Sequence, residues 1–204
     1  MRILTLLSAT IVFFTLSAFK GTKSLVVTSP AFAENTPIPI KYTCNGYEFS
    51  PPINIANIPA GAVSLAIIVD DPDVVTTTYT QKPGPKKSRH KKPGPAAPGG
   101  DPQLEAVHTP GCFTHWIIWN IDPDSKSIPE NFVNDNQGMN GNNKLGWWPI
   151  CPPTGTHHYH FKVYALDTKL NVPQKTDRAA LEKVMEGHIL SWGELVGTFN
   201  KDYK

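Results

Sequence analysis

The stretch His157-His158-Tyr159-His160-Phe161-Lys162-Val163-Tyr164-Ala165-Leu166 alternates along its length, and its reading decides the fold. Successive side chains of a strand leave opposite faces. His157, Tyr159, Phe161, Val163 and Ala165 therefore share one face, and His158, His160, Lys162 and Tyr164 share the other. Two further stretches, Ser64 to Asp70 and His115 to Ile121, are short continuous apolar runs stopped by turn residues, the pattern of strands buried on both faces. Weaker strands are expected over Leu25 to Ser29, Lys41 to Cys44 and Ile53 to Ile55. One helix stands out near the C-terminus, where Thr176 or Asp177 can cap a stretch with Ala180, Leu181, Val184, Met185 and His188 at helical spacing. A short helical turn is also expected around Trp192 to Val196.

Composition agrees with a mainly β domain. Twenty prolines and fifteen glycines in 204 residues are hard to reconcile with long helices, because proline removes a donor and clashes with the preceding turn. A chain of this length supports one domain with a sizeable core. The formal net charge of +2 is unevenly placed: Lys82, Lys86, Lys87, Arg89, Lys91 and Lys92 crowd into one loop, and without them 13 basic residues face 17 acidic ones. A nucleic-acid partner is not expected, because the positive charge does not spread over the fold.

The first twenty residues read as an export signal, with Arg2 ahead of an apolar run from Ile3 to Phe19 and small residues at Ser17 and Ala18. Cleavage would leave an exported, periplasmic or extracellular protein; an uncleaved segment would tether it to a membrane. The domain proper runs from about residue 25 to 204, broken by a low-complexity basic Pro/Gly insertion at about 76–110. Between residues 81 and 100 nine positions are Pro or Gly, too little apolar surface to offset the entropy of ordering. The Lys82 to Lys92 loop suits either an anionic surface or plain solvent. Cys44, Cys112 and Cys151 allow one disulfide, and all three pairings are open.

Three segments carry chemistry. Asp70-Asp71-Pro72-Asp73 ends one buried strand, His115 starts the next, and a Pro152 to Thr156 loop feeds the third strand at His157 and Tyr159. Brought together, two imidazoles, a phenol and two carboxylates suit an anion. Imidazole and phenol donate, and a carboxylate behind a histidine fixes its tautomer.

These segments, with Ser29-Pro30-Ala31-Phe32, Tyr42-Thr43-Cys44-Asn45-Gly46, Ser50-Pro51-Pro52, His115-Trp116, Cys151 through Asp167, Gly187-His188-Ile189-Leu190 and Glu194-Leu195-Val196-Gly197, resemble the phosphatidylethanolamine-binding protein family in its bacterial and archaeal Raf kinase inhibitor-like branch. The resemblance implies an antiparallel β-sandwich with Greek-key connections, a C-terminal helix and a small pocket for phosphate-like anions or phospholipid headgroups. It implies Asp71, Asp73, His115, Pro153, His157 and Tyr159 as ligand-binding residues. It also implies a non-enzymatic role without a cofactor, with a kinase or protease as the protein target. Two departures fall on the rim: Val74-Val75 follows Asp73 where the family reads Ala-Pro, and Trp147-Trp148 precedes Cys151 where it favours smaller residues. A competing expectation, a metal-dependent hydrolase, rests on His158 and His160 at strand spacing, with His90, His108 or a carboxylate completing the set.

Overall fold

The computed structural model describes residues 22–23, 25–81 and 104–202. The expected signal segment and the Lys82 to Lys92 loop lie outside the described residues. The chain runs through β1 (Thr22–Lys23), β2 (Val26–Thr28), β3 (Thr36–Pro37), β4 (Ile53–Ala56), β5 (Ser64–Asp71), β6 (Val75–Gln81), β7 (Leu104–Pro110), β8 (Phe113–Ile121), β9 (Ser127–Ile128), β10 (Thr156–Leu166), α1 (Arg178–Met185) and β11 (Ile189–Asn200). The main sheet has the order β1-β11-β10-β5-β8, with β3 also on β11, and a smaller sheet has the order β2-β4-β9. Its long neighbours are antiparallel, but β1 and β3 join β11 in parallel, so the sandwich is not wholly antiparallel.

The main sheet is covered on both faces, which is why β5 and β8 read as unbroken apolar runs. Leu65, Ile67, Val69, Trp116, Ile118, Phe161 and Val163 face the small sheet and meet Val27, Ile53, Ile55 and Ile128. Ala66, Ile68, Ile117, Trp119 and Leu166 face the other way, onto Leu170, Leu181 and Met185. The Asp177 carboxylate accepts from Ala180 N at 2.8 Å and caps α1. Eight residues are too few for a stable isolated helix. Burial of Leu181 and Met185 supplies about 3–6 kcal/mol that holds it, and Leu181→Ala removes about 2–5 kcal/mol.

β8 departs from simple alternation twice. Leu65 pairs with Ile121 but Ile67 with Ile118, and Val69 pairs with Trp116 but Asp70 with Thr114. Each is a β-bulge, an extra residue on one strand that turns the following side chains. The first places Asn120 at φ 56°, a conformation asparagine tolerates. Its amide exchanges two hydrogen bonds with the Leu170 backbone, 2.8 and 2.7 Å, and pins the loop that covers the helix side. The second leaves His115 as the extra residue.

Three expectations need correction. Lys41 to Cys44 is not a strand: Pro39 presets the backbone for a 3-10 turn over Ile40–Tyr42, closed by Thr43 Oγ1 donating to the Ile40 carbonyl at 2.9 Å. Trp192 to Val196 is not helical but lies within β11, which pairs along the whole of β10. Gly193 belongs there because a Cβ would sit 2.3 Å from the Leu25 carbonyl oxygen. The flanks of the expected insertion, β6 and β7, form a regular antiparallel ladder from Val75 opposite Pro110 to Gln81 opposite Leu104.

The cysteine question closes as Cys44–Cys151, leaving Cys112 as an exposed free thiol. Spanning 107 residues, the bridge removes about 4–5 kcal/mol of unfolded-state entropy on the loop-closure picture. Its position matters as much, because it staples the turn after Tyr42 to the loop that feeds β10.

Candidate functional site

Strand alternation sends the adjacent aspartates of β5 to opposite sides of the main sheet. Asp70 goes to the helix side, fully buried, where Lys162 Nζ at 2.9 Å and Arg178 Nη1 at 2.8 Å neutralise it. Asp71 goes to the small-sheet side. Its Oδ2 accepts from His157 Nδ1 at 2.7 Å, and its Oδ1 accepts from the Asp73 amide at 2.9 Å across the turn at Pro72. Both side chains of the His157–Asp71 pair are less than a tenth exposed.

His115 arrives on the same side only through its bulge. In plain alternation Trp116 and Ile118 face the small sheet, and His115 would face the helix. Instead its ring meets Tyr159 edge-on at 5.2 Å between centroids, and Phe113 at 4.8 Å. Nδ1 of His115 lies 2.9 Å from the Trp148 carbonyl oxygen, which can only accept, so that nitrogen carries the proton. The Trp148 amide donates in return to the His115 carbonyl at 2.8 Å. Burial lowers the pKa of His115 and outweighs the opposing pull of the Trp148 carbonyl and of Asp71 and Asp70, so the ring is neutral near pH 7.

Tyr159, two residues beyond His157 on the same face, is fully buried and its hydroxyl has no hydrogen-bond partner. Burial, then the Asp71 and Asp73 charges, push its pKa far above the ordinary phenol range, so it keeps its proton. A buried hydroxyl without a partner costs about 1–3 kcal/mol, and a ligand oxygen would recover it. His115 and His157 each commit Nδ1 to the protein, which leaves Nε2 on each ring, with the Tyr159 hydroxyl and the neighbouring Trp147 Nε1 buried without a partner.

The other expected residues stand further out. Asp73 is partly exposed at the rim, where Oδ2 accepts from both His158 N and His158 Nδ1 at 2.7 Å. Partial burial opposes its charge, but the two His158 bonds together prevail and hold its carboxyl below the usual range. Pro153 is exposed and its carbonyl accepts from Lys201 Nζ at 2.8 Å; the buried proline of that pair is Pro152. His158 and His160 spend their Nδ1 atoms on different carboxylates, Asp73 and Glu194, and no group of three metal-ligating residues occurs among the described residues. His90 and the His108 side chain lie outside what is described.

Several contributors were not foreseen. The Trp148 carbonyl fixes the His115 tautomer, and a backbone atom leaves no mark in residue identity. Trp147 is half-buried beside His115. Its ring stacks near Phe161, contacts Trp116 edge-on, and lies 6.2 Å from the His115 ring. His158 holds Asp73, a pairing that both residue types and their nearness to the strand end would have allowed.

Comparison with known proteins agrees with this fold. The profile of the phosphatidylethanolamine-binding protein family matches residues 28–90 and 95–200. A Pyrococcus abyssi UPF0098 protein is 38% identical over 192 residues, covering 89% of this chain and 88% of that protein. A crystal structure of a phosphatidylethanolamine-binding protein homologue from Chlamydia trachomatis superposes with a TM-score of 0.67 at 33% identity, covering 89% of this chain and 100% of the other. A Mycobacterium tuberculosis protein provisionally named lipoprotein LppC is 30% identical over 179 residues, covering 86% of this chain and 72% of that protein. No helix among the described residues is long and apolar enough to cross a membrane.

Proposed function

Because the chain belongs to the phosphatidylethanolamine-binding protein family, we propose that it is a non-enzymatic binding protein whose His115, His157 and Tyr159 hold a phosphate-like anion, free or as a phospholipid headgroup. The observation that carries this reading is the buried Tyr159 hydroxyl without a partner, set between a tautomer-locked histidine and a histidine backed by a buried carboxylate. Nothing among these groups is arranged as a nucleophile with its base. The Asp71 carboxylate orients His157 through its Nδ1 hydrogen bond, and Tyr159 donates. Asp73 and Pro153 shape the rim.

The same reading places the protein outside the cytoplasm. The apolar N-terminal segment supports export, and the lipoprotein name of the mycobacterial relative is in keeping with it. A kinase or protease is the protein target, engaged through the rim, and the Lys82 to Lys92 loop adds attraction for an anionic surface.

Calorimetric titration of inorganic phosphate tests the pocket. His115→Ala and His157→Ala should each weaken binding by about 1.5–3 kcal/mol, the range of a hydrogen bond to a charged group. His160→Ala, paired with Glu194 on the opposite strand face, should leave it unchanged. Equal losses at all three positions would defeat the assignment.

A further inference from the structure

Two strands of the main sheet run on past its pocket end. The β5–β8 ladder stops at Asp71 opposite Phe113, the Gly111 amide donates to the Val74 carbonyl at 2.7 Å, and from Val75 opposite Pro110 the same two segments continue as β6 and β7. At seven paired residues the resulting arm is about 23 Å long. It is a sheet of two strands. In an antiparallel pair alternate residues bond across the ladder, and those between them turn their amides and carbonyls to the opposite edge. Among the described residues no strand pairs with either outer edge of the arm.

The edges of the main sheet are covered instead. Outside β8, Trp119 N donates to the Asn136 carbonyl at 3.0 Å, Gly138 N to the Ile117 carbonyl at 3.1 Å and Gly141 N to the Thr114 carbonyl at 2.7 Å; outside β11 lie β1 and β3. The free edge of β6 lies on the side of β5 held by β10, but β10 does not extend along it. Gly155 turns at φ 64° and its carbonyl accepts from Lys201 N at 3.1 Å, which folds the loop ahead of β10 back toward β11. Room for another strand therefore starts where β10 begins, and Val75, at the root of β6, is 58% exposed.

The two edges of the arm differ in character. β7 reads Leu104-Glu105-Ala106-Val107-His108-Thr109-Pro110, and its carboxylate and terminal proline both discourage pairing. β6 reads Val75-Thr76-Thr77-Thr78-Tyr79-Thr80-Gln81, β-branched or aromatic in all but the last position and without charge, proline or glycine. A neutral edge of that length invites another strand, and a lone two-stranded ribbon is marginal in water. We infer that β6 pairs antiparallel with β6 of a second copy, closing a four-stranded sheet in the order β7-β6-β6-β7 across a two-fold axis. The guarded strands then lie outermost and the unguarded ones inside. Symmetry favours this occupant over an extended segment of another protein. Because bonded and non-bonded pairs alternate, a two-fold axis between identical antiparallel strands must fall on a residue, and full overlap of β6 puts it on Thr78. Thr76 then stands opposite Thr80, and Thr77 opposite Tyr79, threonine and aromatic pairings that stabilise sheets. The inference stands independently of the anion-binding reading.

The experiment is sedimentation velocity of the whole protein over about 1–100 μM, the range in which a modest interface shows itself. A reversible monomer–dimer equilibrium is expected. Thr78→Lys and Thr78→Asp set like charges opposite each other at the axis, so each should weaken self-association about fivefold or more while circular dichroism stays unchanged. Mixed in equal amounts, the two variants should form a heterodimer tighter than either homodimer, and added salt should loosen it. Should neither variant fold, hydrogen exchange on the unmodified protein decides: amides of β6 should gain protection as the concentration rises, and those of β7 should not. A protein that stays monomeric throughout overturns the second copy as the occupant, and a monomer that binds an extended peptide along β6 does so in favour of that partner. Open-ended oligomers overturn the closed two-fold arrangement. A dimer indifferent to both Thr78 variants overturns β6 as its seam.

Discussion

Replacing His157 with alanine leaves the Asp71 carboxylate, 2% exposed, with only the Asp73 amide as a partner. A buried pair broken from one side costs about 3–5 kcal/mol, and a buried charge-assisted hydrogen bond is worth about 1.5–3 kcal/mol, so a loss near 3 kcal/mol is expected. With a urea slope of about 2 kcal/mol/M the unfolding midpoint should fall by about 1.5 M, measured at pH 7 with the disulfide intact. Lys41 and Glu130 provide the control. They approach to 2.6 Å, slightly closer than His157 and Asp71, but each is about two-fifths exposed. Lys41→Ala should not move the midpoint measurably, because water screens that pair. Adding Asp71→Asn to His157→Ala should recover about half the loss, since it removes the stranded charge. A His157→Ala midpoint shift no larger than that of Lys41→Ala would refute the claim that burial, rather than distance, gives the pair its strength.

Stability should respond to acid through His115. Its folded pKa lies below the unfolded value near 6.5, so the unfolded chain binds the extra proton first. Stability is full above that value and falls as the pH drops from it toward the folded pKa; urea midpoints for the unmodified protein and His115→Gln should converge on acidification. His158→Ala should raise the Asp73 pKa toward the ordinary carboxylate value, read by NMR titration of its carboxyl carbon, because only the backbone bond from residue 158 remains. Replacing residues 82–103 by Asn-Gly should keep the melting temperature within a few degrees, since β6 and β7 end in register at Gln81 and Leu104 and accept a two-residue turn. Loss of folding there would show that the replaced segment carries core contacts.

The three strands that build the sheet were legible because their patterns are extreme. Two are apolar on both faces, and β10 separates His157, Tyr159 and Phe161 from His158, His160 and Lys162 without exception. That Asp71, His115, His157 and Tyr159 come to one side of the main sheet was legible for a related reason, since each lies near the end of a strong strand. What escaped depended on groups outside the pattern. The turn at Ile40–Tyr42 follows from Pro39 and from Thr43 closing on a carbonyl, and apolar content there imitates a strand. The helical turn expected around Trp192 to Val196 gives way to strand, where Gly193 serves a close crossing by Leu25. Asp70 ends its strand with nothing in the sequence to mark a partner, and it anchors Lys162 and Arg178 beneath the helix. The sign of the proton on His115 could not be read at all, because a backbone oxygen sets it.

The two bulges in β8 act as phase shifters. Between them Trp116 through Trp119 keep one parity, and beyond each the parity inverts, so His115 and Ile121 both return to the small-sheet side. The pocket therefore depends on chain length as well as on side-chain identity. Deleting one residue beside His115 would leave Asp71, His115, His157 and Tyr159 all in the sequence and turn the His115 imidazole through the sheet, onto the layer occupied by Leu181 and Met185.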